Sequence, residues 1–299
     1  MAEHHVGTTL STAWTAARYQ DVRAVLSDDR FEVAAAPATA AVGTVAWLRA
    51  SVSRFTNGPE HGRRRARLVR ELDRLDPVAL RSAATGRADA ALRETVRPGG
   101  RIDVMSLLAR RIPVATMAAA LGIANPTTVA AAVISTAAGY FPGATAENEL
   151  VADAATTWLV GALAPAELDV IIARITLLVQ GCDATAGLID KAVHAMRDSA
   201  SVTTDALLAE VLRHGPRAGA IRRVARADID WCPVAAGDTV VCDIDAANRD
   251  PDVFKQPDRF DPERGGPPSL TFGYGIRPCP GQAQALALAA GVVDAVRAF

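Results

Sequence analysis

The chain has 299 residues, 50% apolar and 22% charged, enough for a substantial core and ordinary for a globular protein. Its formal net charge of −1 gives no basis for a nucleic-acid partner or an anionic membrane surface. Its four cysteines include no C-x-x-C pair and no apolar run reaches the length of a membrane span, so the expectation is a reduced, cytoplasmic protein with no disulfide scaffold and no membrane.

Abundant alanine and only 5% aromatic residues favour helices. From Arg18 to Leu26 (RYQDVRAVL) apolar residues recur at helical spacing, and SDDRF breaks the pattern. A second helix is predicted from Pro59 to Leu75, with Pro59 and Glu60 in its first turn and Leu68, Val69 and Leu72 on one face. Its other face carries Arg63, Arg64, Arg65, Arg67, Arg70 and Arg74, which read mostly as a solvated face. Helical patterning continues over Val78–Val96, Val104–Leu121, Thr127–Ala138 and Glu147–Leu163. The apolar run from Glu167 to Ala195 predicts a helix buried almost all round, yet Gln180, Gly181, Asp183 and Thr185 stand at its middle. Polar groups there need a partner or a purpose.

After a short helix from Asp205 to His214 the periodicity changes. AIRRVARADIDW and DTVVCDIDAA read as short strands around an AAGD turn. NRDPDVFKQPDRFDPERGGPP is a long loop rich in Pro and Asp, and Ala283–Phe299 is helical again. The fold class is mainly α with a small β-sheet, in a single domain over residues 1–299.

The stretch FGYGIRPCPG, Phe272 to Gly281, presents one sulfur in a stiff loop. Gly273, Gly275 and Gly281 allow sharp turns and close approach to a flat ligand, and Pro278 and Pro280 stiffen the surround. The helix that begins next offers its positive end to a thiolate. This describes a single axial sulfur, Cys279, on one face of a haem, with Arg277 near a carboxylate of the bound group. A lone cysteine is otherwise most often a buried structural residue.

The same stretch resembles the haem-binding loop of the cytochrome P-450 family, F-x-x-G-x-R-x-C-x-G, and further motifs follow in the family's order. Glu210-Val-Leu-Arg213 resembles the E-x-x-R helix, and ANRDPDVFKQPDRFDPER resembles the meander, with Arg259 at the third position of a structural Glu-Arg-Arg cluster. NGPEHGRRRARL resembles the helix whose His and Arg meet the haem propionates, here His61 and Arg65, four apart and so on one face. RRVARADI resembles the strand supplying a further propionate arginine, Arg223, and RYQDVRAVLSDDRF an early helix of bacterial members. The resemblance implies haem b with Cys279 on the iron and with His61, Arg65, Arg223, Phe272, Arg277 and Gly281 around the cofactor.

Departures from the family are also visible. The chain is short, which implies a reduced fold lacking parts of the N-terminal strands, the roof helices and the C-terminal strands. Aligning Gly181 with the family glycine puts Asp183 at the catalytic acid and Ala184 at the usual threonine, with Thr185 one place late, rotated by about 100°. Asp183 and Thr185 are the catalytic candidates. The implied function is a haem-thiolate oxidoreductase, of monooxygenase type, acting on a small or carrier-presented metabolite in a biosynthetic pathway. A ferredoxin or flavoprotein would donate electrons, and the shortened cover raises the expectation of a homodimer. The alternative that Ala184 favours is a redox-neutral or peroxide-using haem enzyme (a cyclase, isomerase, dehydratase or bond-coupling catalyst), and a third is a non-catalytic haem-binding module.

Overall fold

A computed structural model of the chain describes residues 13–299 apart from 38–39, 96–102, 142, 200 and 216–219. Helices α1 (Tyr19–Ser27), α2 (Val45–Ser51), α3 (Gly58–Leu72), α4 (Pro77–Thr95) and α5 (Arg111–Ala120) form its first half. They are followed by α6 (Pro126–Tyr140), α7 (Ala146–Ala162), α8 (Leu168–Ala195), α9 (Thr204–His214), the single turn α10 (Ile244–Ala247) and α11 (Gln282–Ala298). The expected helices form within a few residues of where periodicity put them, except that Val104–Leu121 is broken: Met105–Ala109 is a π-helical turn and α5 starts only at Arg111. Val96, expected to end α4, lies outside the described residues. Helix α2 carried no strong apolar pattern. Its start is fixed by Thr44, whose side-chain oxygen accepts from the Trp47 N–H at 3.1 Å.

Strands β1 (Ala13–Ala16), β2 (Phe31–Glu32), β3 (Ala220–Ala225) and β4 (Thr239–Asp243) make one sheet in the order β1-β4-β3-β2. The β3–β4 pair is the antiparallel hairpin expected around AAGD, with Val224 opposite Thr239, but β3 stops at Ala225 and Ile244–Ala247, expected in the second strand, is the turn α10. β1 joins β4 in parallel and β2 joins β3 in antiparallel fashion. These leading strands are four and two residues long, too short to show a period of their own.

Two apolar cores result. In the larger, α8 runs through the middle, and Ile175, Leu178 and Ile189 are buried there with Leu92, Val133, Leu207 and Val292 from the helices around it. Helices α4 and α11 pack tightly at Gly291, where a Cβ would stand 2.3 Å from the Arg81 carbonyl oxygen. The smaller core lies on the sheet and includes Tyr19, Val22, Val25, Phe31, Val240, Cys242, Phe254 and Leu270. Among the described residues α8 alone is long and apolar enough to cross a membrane, and 56% of that stretch is buried inside the protein, as for a core helix.

Candidate functional site

The loop Phe272–Gly281 lies where the two cores meet, with Phe272 packed on the helical core and Tyr274 on the sheet core. Gly275 has φ +67°, and a Cβ there would stand 2.3 Å from the Leu26 carbonyl oxygen near the end of α1. The next N–H, of Ile276, donates to that same oxygen at 3.2 Å. Arg23 of α1 hydrogen-bonds the Tyr274 hydroxyl and lies over its ring, 4.4 Å from the centroid. Gly275→Ala should therefore lower stability by about 1–3 kcal/mol, from left-handed strain plus the clash, read as a lower urea midpoint.

Within the loop the Cys279 N–H donates to the Phe272 carbonyl oxygen at 2.7 Å, and Gly281 stands at the N-cap of α11. The sulfur thus sits at the positive end of a helix. Cys279 is the exposed cysteine, whereas Cys182 and Cys242 are buried. The residue is exposed, yet enough protein surrounds it to desolvate the thiol. Burial pushes its pKa up, against the lowering effects of the Gly281 N–H and the charges of Arg65 and Arg54. A metal cation on the sulfur would reverse that balance in favour of the thiolate.

Cations gather beside this sulfur. Arg277 donates to the Thr56 carbonyl oxygen at 2.9 Å and to Asn57 Oδ1 at 3.0 Å. His61 Nδ1 lies 3.0 Å from the Ser53 carbonyl oxygen, which assigns it the ring proton, and 3.4 Å from Arg277 Nη1. Arg65 Nη2 donates to the Pro278 carbonyl oxygen at 2.8 Å, next to the cysteine. Arg223, 9% exposed on β3, donates to the Arg222 carbonyl oxygen at 3.0 Å. Other arginines of α3 find acids: Arg63 and Arg64 pair with Glu60, and Arg67 with Glu167. Among the described residues His61, Arg65, Arg223 and Arg277 form no such ion pair. Burial lowers the pKa of Arg223, and the Arg277 and Arg54 charges lower it further. Burial lowers Arg277 as well, with Arg65 adding to the effect against the raising influence of Glu32. Uncompensated, partly buried positive charge of this kind favours a bound anion.

His61 shares that field. Burial depresses its pKa below the ordinary 6.5, the Ser53 carbonyl opposes this, and the charges of Arg277, Arg65 and Arg223 add to the depression. The folded protein therefore binds fewer protons at His61 than the unfolded chain. Its share of stability is intact above pH 6.5 and is lost as pH falls through the lower folded value. For haem-free protein, His61→Gln should flatten the fall of the urea midpoint below that pH.

Behind the loop, Arg213 forms a two-pronged ion pair with Glu210, at 2.6 and 2.8 Å, with both side chains 4% exposed. Arg213 also donates to the carbonyl oxygens of Asn248, Pro257 and Arg259, gripping the meander. The expected third member, Arg259, is instead exposed and enters the cluster through its carbonyl. The second arginine at Glu210 is Arg264, with Nε 3.6 Å from Oε1 and its side chain 10% exposed. The difference is one of reach. The meander turns so that Arg264 folds back over the Gln256 and Arg259 carbonyls, which accept its hydrogen bonds. The long Asp- and Pro-rich loop has no periodicity from which that turn could be read.

At the middle of α8, Ala184 is exposed, and a Cβ on Gly181 would meet nothing within 4 Å. This face of an otherwise buried helix borders open space. Asp183 Oδ1 lies 3.2 Å from Arg110 Nε, with both side chains nearly half exposed, while Thr185 is buried on another side of the helix. The two catalytic candidates therefore do not share a face. Gln180 Nε2 donates to the hydroxyl of Tyr140, a fully buried residue whose pKa burial pushes up to about 12. Arg110 and Tyr140 were not singled out from the sequence. Gln180 was, as a polar side chain in a buried run that needed a partner.

The residues fit a haem. An exposed thiol precedes a helix, acid-free cations suit the propionates, and Gly181 and Ala184 of α8 border open space. Among the described residues no three His, Cys, Asp or Glu side chains cluster to hold a metal by themselves.

Comparison with known proteins agrees. The family model for Cytochrome P450 matches residues 191–288. The chain is 30% identical to nocardicin C N-oxygenase of Nocardia uniformis subsp. tsuyamanensis over 314 residues, 90% of this chain and 77% of that protein. It is 29% identical to the cytochrome P450 monooxygenase PikC of Streptomyces venezuelae over 308 residues, 90% of this chain and 73% of that one. Among solved structures, P450BioI in complex with a fatty-acid-ligated acyl carrier protein superposes with a TM-score of 0.78 at 21% identity, covering 95% of this chain and 84% of that one. At that identity the superposition speaks for the fold alone. The sequence likeness runs through nearly the whole chain, so the chain belongs to the cytochrome P450 family, whose members hold haem iron through a cysteine thiolate.

Proposed function

We propose that Cys279 is the axial thiolate ligand and that the enzyme is a monooxygenase acting on a small or carrier-presented metabolite of a biosynthetic pathway. The observation that carries this is the exposed Cys279 at the head of α11, beside cations that no acid neutralises. His61, Arg65, Arg223 and Arg277 would hold the propionates, Phe272 fixes the loop through its carbonyl, and Gly281 brings its N–H to the sulfur. When bound, a haem with a thiolate ligand activates dioxygen, because the sulfur donates electron density that favours O–O cleavage. Asp183, oriented by Arg110, is the proton-handling group on α8. With Ala184 where a hydroxyl is usual, the remaining proton link falls to water or to a hydroxyl of the substrate. Thr185, held in the core, serves packing.

Electrons would come from a separate ferredoxin or flavoprotein. The carrier-presented form of the substrate is supported by P450BioI, which was solved with an acyl carrier protein. The test is a metabolite panel screened by shifts of the ferric Soret band. Hits are then incubated with ferredoxin, its reductase and NADPH under air or argon. Product formed only with both reductant and air supports the monooxygenase. Ala184 favours a second reading, a redox-neutral or peroxide-using catalyst. Product formed from substrate alone, or with peroxide and no reductant, would select that one.

A further inference from the structure

Beside the sulfur stands one arginine that the propionate cluster does not use. Arg54 lies in the short turn Ser53–Phe55 that follows α2, and it is exposed. Its guanidinium lies 5.8 Å from the ring centroid of Phe55 and 5.6 Å from that of Phe141. Among the described residues those rings are its partners, and no acid neutralises it. It follows Ser53, whose carbonyl faces His61, and lies two residues before Thr56, whose carbonyl accepts from Arg277, so its turn borders the cysteine loop. The rings under Arg54 are backed by the buried Tyr140, with centroids 6.2 Å from Phe55 and 5.2 Å from Phe141, and Tyr140 meets Gln180 of α8.

An apolar wall ending in a free guanidinium suits a ligand with an apolar body and an anionic end. The haem carboxylates are assigned to His61, Arg65, Arg223 and Arg277, which hold backbone carbonyls around the loop and do not involve Arg54. We propose that Arg54 is a specificity residue that binds an anionic group of the substrate, a carboxylate or a phosphate, while Phe55 and Phe141 hold the adjoining apolar part. The inference rests on the haem-thiolate reading of the cleft and adds the charge class of the substrate to it.

The test uses haem-loaded protein and imidazoles bearing alkyl chains of graded length that end in a carboxylate, each compared with its methyl ester. The imidazole nitrogen takes the iron and shifts the Soret band, so binding is read without turnover. At the matching length the acid should bind at least about tenfold more tightly than the ester, and added salt should shrink the difference. Arg54→Gln should erase the preference with haem content and the ferrous–CO band unchanged, and Arg54→Lys should keep part of it. Pantetheine phosphate as competitor separates the two sources of the anion. Arg54-dependent displacement assigns the site to a carrier's arm, and no displacement assigns it to a free acid. Equal affinity for acid and ester at every length would overturn the proposal. So would loss of haem in both variants, which would make Arg54 a propionate partner. If wild-type protein lacks a thiolate-type ferrous–CO band, the reading of the cleft itself fails.

Discussion

Cys279→Ser is expected to abolish the red-shifted Soret band of the ferrous–CO complex and to remove turnover while the protein stays folded. The loop does not depend on the sulfur for its shape: the residue's own N–H holds the Phe272 carbonyl at 2.7 Å, and Gly275 is fixed against α1. The side chain is exposed, so the change from sulfur to oxygen disturbs little packing. What is lost is the soft, electron-donating ligand. Turnover should fall by more than the roughly hundredfold that an outer-shell partner of a metal site is worth. Cys232→Ser, at a half-buried position, should leave the band intact. A red-shifted band that survives in Cys279→Ser would remove this residue from the iron.

The second large effect is expected at Arg213. Arg213→Ala should cost about 3–5 kcal/mol, because it leaves Glu210 as a buried charge without its main partner. Haem incorporation should fall as well, since the Asn248, Pro257 and Arg259 carbonyls lose the donor that holds the meander under the loop. Any haem that does bind should keep its thiolate spectrum. The double variant Glu210→Leu/Arg213→Met should cost less than the sum of the single changes, since neither partner then leaves the other's buried charge behind. Urea melts give the stability, and the haem-to-protein absorbance ratio gives the loading. Normal loading in a destabilised Arg213→Ala would separate the ion pair from the support of the loop.

Legibility differed from place to place for physical reasons. Helix α8 was evident because a long apolar run must be buried somewhere, and the residues of the cysteine loop stand together in sequence. His61 and Arg277 were named separately and lie 3.4 Å apart, since each belonged to a motif with its own local spacing. Strand β2, two residues long, gave no pattern to read. The Arg264–Glu210 contact depends on how an aperiodic loop turns back, and the Gln180–Tyr140 hydrogen bond on how α6 lies against α8. Such pairings are set by tertiary packing, which residue spacing does not encode. The acid-free surroundings of Arg54 were equally invisible, because the absence of a neighbouring acid is a property of space and not of sequence.

The seating of the cysteine loop across both cores, Phe272 on one side and Tyr274 on the other, makes the cofactor a coupling element. A ligand that binds only the docked arrangement adds its binding free energy to the cohesion of the two cores, and that increment grows with the logarithm of free haem. Loaded protein should accordingly unfold as one cooperative unit. Without haem that increment is absent, and the sheet core is tied to the helices by contacts such as Val33 with Asn57 and Arg213 with the Asn248 carbonyl. Haem supply would then govern how much of the chain survives proteolysis as well as how much of it is active.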